Sequence, residues 1–242
     1  MCLTCGRGSV ILFQRDDEAD DLPGNAHAVI GSLTIDDQAS EGDKMAQLFF
    51  KYSTMNAGKS TELIKVAYNY EERNKRVLVF IPAIDDRDGV GVVSSRIGLK
   101  REAIPVYEDT DILEIFMREN EKHEVACVLV DESQFLKKRN VLQLVEIVDS
   151  FDVPVMAYGL KNDFRNELFE GSYYMLVYAD KIEEIKTICW CGRKATMVAR
   201  VIDGKQVREG DQIMIGGMDK YIPLCRKHYS DGRISEKPES SR

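Results

Sequence analysis

A chain of 242 residues, 44% hydrophobic and 31% charged, is long enough to bury one good core plus a small appended module. No apolar run approaches the ~18 residues of a membrane span. A net charge of −8 argues against a general nucleic-acid binder, whose affinity comes from neutralising phosphates. The expectation is a soluble, cytoplasmic protein with neither membrane nor nucleic acid as a partner.

Residues 1–44 carry nine acidic against three basic residues, with scattered Gly, Asp and Ser and no long periodic segment. They read as a disordered acidic extension rather than a signal peptide. Met45 is then the natural start, or 1–44 is dispensable. Cys2-Leu3-Thr4-Cys5 has no second ligand pair nearby and is not read as a metal site.

Gln47-Leu48-Phe49-Phe50 reads as a buried strand, and Leu63, Ile64, Ala67 and Tyr70 fall on one face of a helix starting near Lys59. Between them lies Ser53-Thr54-Met55-Asn56-Ala57-Gly58-Lys59-Ser60-Thr61, where a phosphate-binding loop belongs. In such a loop backbone N–H groups and the helix N-terminus face a phosphate, the lysine reaches its outer oxygens and the next hydroxyl ligates Mg²⁺. Those roles fall to Lys59 and Ser60. The usual pattern has glycine five places before Gly58, where this chain has Ser53, so an ordinary strand-to-helix turn stays open as the alternative.

Val77 to Ile81 and Ile104 to Val106 read as further strands, with an acidic loop containing Arg87 between them. A helix is expected from about Thr110 to Glu121, with Asp109 as its N-cap. Val125 to Val130 is continuously apolar, as a central parallel strand covered on both faces should be. It ends in Asp131-Glu132, which places Asp131 as the Mg²⁺-side acid and Glu132 as acceptor of an attacking hydroxyl's proton. Two acids that only cap a strand are the alternative. Val141, Leu144, Val145 and Val148 form a helical face, and Val153 to Leu160 is another strand, entered near Pro154. The alternation predicts an α/β fold: a mostly parallel phosphate-loop sheet flanked by helices, ligands at the carboxyl ends of its strands.

After Thr187 the character changes. Three of the six cysteines and one of the three histidines fall into Cys189-x-Cys191 and Cys225-x-x-His228, which suit a closed, structural zinc site with no open position for a catalytic water. Free thiols remain an alternative, since the first spacing is tight. The expected organisation is an extension over 1–44, a nucleotide-binding domain over 45–186, a zinc-binding module with a substrate-covering loop over 187–230, and a mobile tail over 231–242. A phosphate-loop motor using Glu132 to activate water, and a non-enzymatic zinc module, are the competing function classes.

Several segments, in order from about Met45 to Tyr229, give the chain a specific likeness. Besides the phosphate loop they are Ile84-Asp85-Asp86-Arg87, Val130-Asp131-Glu132-Ser133-Gln134-Phe135, Tyr158-Gly159-Leu160-Lys161-Asn162-Asp163-Phe164, Cys189-Trp190-Cys191-Gly192-Arg193-Lys194-Ala195, and Ile215-Gly216-Gly217 through Tyr221 to Cys225-Arg226-Lys227-His228. The chain resembles the thymidine kinases of the zinc-containing, tetrameric class. The resemblance implies transfer of the ATP γ-phosphoryl group to the 5′-hydroxyl of deoxythymidine, with Glu132 as general base. It implies ATP contacts from the loop residues Ser53 to Ser60, from Arg87 and from Asp131, Glu132, Ser133 and Gln134. Met55, Phe135, Phe164, Gly216, Gly217 and Tyr221 are implied to hold the nucleoside. A homotetramer and feedback inhibition by thymidine triphosphate are implied as well.

Overall fold

The computed structural model describes residues 45–86, 88–213 and 220–236. The expectations placed on residues 1–44, Arg87, Gly216, Gly217 and 237–242 lie outside the described residues.

The order of elements is β1 (Leu48–Ser53), α1 (Lys59–Glu71), β2 (Arg76–Pro82), β3 (Val92–Ser94), β4 (Lys100–Glu102), β5 (Ile104–Val106), α2 (Ile112–Lys122) and β6 (Val125–Val130). A 3₁₀ turn (Ser133–Phe135) then leads to α3 (Lys138–Phe151), β7 (Val155–Leu160), α4 (Glu170–Tyr178) and β8 (Lys181–Glu184). The module that follows holds β9 (Met197–Ile202), β10 (Lys205–Val207), β11 (Lys220–Leu224) and α5 (Arg226–Asp231). The helix expected near Thr110 starts at Ile112. Its N-cap is Asp111, whose side chain accepts from the Glu114 N–H at 2.9 Å, and not Asp109; Thr110 is spent on the preceding turn, its hydroxyl accepting from the Tyr107 N–H.

Six strands form one sheet in the order β5-β2-β6-β7-β1-β8, and every pairing in it is parallel. Side chains alternate faces along a strand, so each strand feeds two cores. Leu78, Phe80, Val128, Val130, Val155 and Ala157 pack under α2, α3 and α4 with Phe116, Leu144 and Met175. Val77, Val79, Ile81, Cys127, Leu129 and Tyr158 face the other way, against Leu63 and Ala67 of α1 and Val93 of β3. Burial on both faces explains why these strands read as unbroken apolar runs.

Parallel register puts the carboxyl ends of the strands on one side of the sheet. Ser53 pairs with Leu160, and Val130 pairs with Ala157 and Phe80. The phosphate loop, Asp131-Glu132 and the segment after Leu160 therefore leave the sheet at one edge. The module is a three-stranded antiparallel sheet, β10-β9-β11, packed with α5 around Cys189, Ala195, Ala199, Leu224, Cys225 and Tyr229. No helix among the described residues is long and apolar enough to cross a membrane.

Candidate active site

Gly58 is the N-cap of α1 and has φ +84°, a left-handed conformation in which a side chain is strained even though open space surrounds it. Ser53 ends β1 and is not among the described residues with positive φ. A glycine is thus not required there by backbone conformation, which accounts physically for the departure from the usual loop pattern. Lys59, the first residue of α1, is buried, and its ammonium folds back over the loop to Ser53 Oγ (3.2 Å) and the Thr54 carbonyl (3.4 Å). Met55 is half-buried, Asn56 exposed at φ +65°, and Ala57 half-buried.

Ser60 joins this loop to the end of β6: its hydroxyl donates to Asp131 Oδ2 at 2.7 Å. Asp131 is 2% exposed, and its other oxygen accepts from the Glu132 N–H at 3.0 Å. Burial, then the neighbouring Glu132 charge, push the Asp131 carboxyl above the usual carboxylate range, while Ser60, the Glu132 N–H and the Lys59 charge pull it down. An oxygen donor pair of this kind, a hydroxyl and a carboxylate held against each other beside a lysine, has the hard-ligand chemistry that Mg²⁺ takes in phosphate-loop proteins.

Glu132 sits at φ +46°, ψ +39°, a left-handed backbone that costs a non-glycine residue about 1–3 kcal/mol. The 3₁₀ turn behind it holds that conformation. Ser133 and Gln134 are buried, and the turn lies so close to α4 that a Cβ on Gly171 would stand 2.2 Å from the Ser133 carbonyl oxygen. Gln134 Nε2 donates to Glu132 Oε2 at 2.5 Å. Phe135, next in the turn, is half-buried and meets Phe169 edge to face with centroids 5.8 Å apart.

Phe164 follows β7 and is fully buried where the module meets the sheet. Its ring lies under the Arg200 guanidinium at 5.2 Å, and its carbonyl accepts from the Tyr229 hydroxyl at 2.5 Å. Tyr221, on β11, pairs with Arg200 of β9. The structure therefore brings Ser53, Lys59, Ser60, Asp131, Glu132 and Gln134 into one group, and ties Phe164 to the module that carries Tyr221.

Sequence reasoning missed the contacts that fasten this region. The Asp163 carboxylate accepts from the Arg165 N–H and side chain, the Glu167 N–H and Gln212 Nε2, while Arg165 donates to the Gly210 carbonyl. An aspartate within a turn carries no local sign of a partner 49 residues away.

The side chains of Cys189, Cys191, Cys225 and His228 converge. Their donor atoms all lie within 4.8 Å of one another, with Cys189 Sγ 3.4 Å from His228 Nδ1 and Cys191 Sγ 3.9 Å from Cys225 Sγ. Tetrahedral zinc at ~2.3 Å from sulfur needs sulfur atoms about 3.8 Å apart, so the cluster fits a structural zinc ion and is too open for a disulfide. Trp190 stacks on the His228 ring at 4.0 Å and 11°. Burial, then the Arg233 charge, pull the imidazole below its usual pKa, favouring the neutral ligand form, and backbone donation near Arg193 pulls the Cys191 thiol down.

A parallel sheet with a phosphate loop after β1, a buried aspartate paired to the loop's serine, and a glutamate beside it define a nucleotide-binding phosphotransferase with an appended module whose Cys/His cluster fits zinc. The family model for thymidine kinase matches residues 46–229. The chain is 64% identical over 192 residues to the thymidine kinase of Listeria monocytogenes, an alignment covering 78% of this chain and 100% of that protein. It is 61% identical over 186 residues to that of Lactiplantibacillus plantarum (76% and 96%), and 59% identical over 191 residues to that of Streptococcus pyogenes (78% and 100%). The chain belongs to the thymidine kinase family.

Proposed function

We propose that this chain phosphorylates deoxythymidine at its 5′-hydroxyl with ATP, giving thymidine monophosphate and ADP. Phosphorylation of thymidine is what its family and relatives do. The observation that carries the mechanism is the 2.7 Å bond from Ser60 to Asp131, which sets the phosphate loop and the Asp131-Glu132 pair at one sheet edge.

Lys59 and the loop N–H groups of Ser53 to Ser60 bind the phosphates, and Arg87 adds a further cation to them. Ser60 and Asp131 would hold Mg²⁺, which would supply charge neutralisation for the phosphates. Glu132 takes the 5′-hydroxyl proton as the sugar oxygen bonds to the γ-phosphorus and the bond to the bridging oxygen breaks, leaving ADP. Most of the acceleration comes from positioning and charge neutralisation rather than from the proton transfer. Met55, Phe135, Phe164 and Tyr221 form the apolar walls around the base, with backbone amides of the Gly216-Gly217 segment reading its edge. Cys189, Cys191, Cys225 and His228 would hold a structural zinc ion, which would brace the strand that carries Tyr221.

The working protein is a cytoplasmic homotetramer, inhibited by thymidine triphosphate, and its catalytic unit spans the domain of 45–186 and the module of 187–230. Residues 1–44 are dispensable for turnover. A panel of nucleosides assayed with ATP and Mg²⁺ for monophosphate formation tests the reading: deoxythymidine should far outrun purine nucleosides, and hydrolysis of ATP indifferent to any nucleoside would refute it.

A further inference from the structure

The side chain of Gln134 bridges two parts of the site. It is 2% exposed. Its Oε1 accepts from the Leu160 N–H at 3.0 Å, at the last residue of β7, and its Nε2 donates to Glu132 Oε2 at 2.5 Å. A backbone N–H can only donate, so Leu160 dictates which end of the amide faces it, and the NH₂ end is left for the carboxylate. A charge-assisted donor of this kind fixes the direction of its acceptor. The left-handed backbone at Glu132 sets where its side chain starts, and Gln134 sets where it ends.

We propose that Gln134 is a positioning residue for phosphoryl transfer, holding the Glu132 carboxylate aimed by bracing it against the end of β7. This rests on the reading of Glu132 as the base. Gln134 acts through Glu132: its two polar ends engage Leu160 and Glu132, so its effect belongs in the turnover step.

The test is a double-mutant cycle. Gln134→Glu keeps an oxygen to accept from Leu160 but sets a second carboxylate against Glu132. Relative to the unaltered enzyme it should lower kcat by about ten-fold or more and leave the KM for ATP nearly unchanged. In a Glu132→Gln background the same change should cost little further, because the group it acts through is gone. Wild-type kcat in Gln134→Glu, or an equal fold loss in both backgrounds, overturns the proposal. The cycle repeated with Gln134→Met, matched in length and uncharged, decides the matter if the glutamate variant does not fold: a kcat loss confined to the Glu132 background supports it, an equal loss in both overturns it. A Glu132→Gln enzyme with undiminished turnover instead removes the base assignment itself, independently of anything at Gln134.

Discussion

The Ser60 hydroxyl donates to Asp131 Oδ2 across 2.7 Å, joining the first turn of α1 to the end of β6 over 71 residues of chain. This bond holds a hydroxyl and a carboxylate together beside Lys59, on an edge where three strands end. Ser60→Ala removes the hydroxyl that supports Asp131 and that the proposed mechanism uses to hold Mg²⁺. A fall of about 10–100-fold in kcat/KM is expected, with a raised Mg²⁺ requirement. Initial rates across a Mg²⁺ titration check both.

Asp131 is itself a site where stability is given up for function. Its carboxyl is pushed up by burial, so the folded chain binds more protons than the unfolded one once pH exceeds the ordinary aspartate value of about 3.9. The destabilisation is absent below that value, grows as pH rises through the raised folded pKa and is fully present above it. Asp131→Asn should therefore melt higher than the parent at pH 8 without nucleotide, by about 2–4 °C for ~1 kcal/mol. The gain should vanish near pH 4 while kinase activity is lost. Thermal melts at the two pH values read the sign directly.

Gly171 tests how the turn bearing Glu132 is held. A Cβ there would meet the carbonyl oxygens of Ser133, Gln134 and Leu136 at 2.2, 2.9 and 2.9 Å, all backbone atoms that must move with their chain. Gly171→Ala should destabilise the protein by about 1–3 kcal/mol. It should also lower kcat more than it raises the KM for ATP, since the displaced turn carries Glu132 rather than the phosphate loop. Chemical denaturation and steady-state kinetics on one preparation measure the two effects.

The metal cluster predicts a graded failure. Cys225→Ser removes one of four converging ligands, and Tyr229, four residues on, donates to the Phe164 carbonyl. Bound zinc should fall below one equivalent, and the KM for thymidine should rise more than that for ATP, because the disturbance reaches Phe164 before it reaches Lys59. Metal analysis with kinetics on both substrates separates these outcomes.

Chemistry written in contiguous residues was legible from sequence. The loop around Lys59, the Asp131-Glu132 pair and the two ligand pairs each announce themselves within a few positions, and burial on both faces makes β2, β6 and β7 read as apolar runs. Elements whose reason is tertiary were not legible. Helix α4 shows no apolar stripe: Tyr173, Val177 and Tyr178 are exposed while Met175 is buried. Strand β8 is mostly charged, and it is a strand because β1 offers it an edge to pair with. Asp109 and Asp111 precede the same apolar run, and only the turn at Thr110 decides that Asp111 caps it. The fastening of Gln212 to Asp163 likewise depends on chain reversal in space.

The central claim is that a sugar hydroxyl loses its proton to Glu132 beside a triphosphate held at Lys59. The most direct measurement is the turnover of Glu132→Gln with deoxythymidine, ATP and Mg²⁺. The account predicts a fall in kcat of about 10²–10⁴-fold with the KM for ATP little changed. Turnover equal to that of the unaltered enzyme would contradict it.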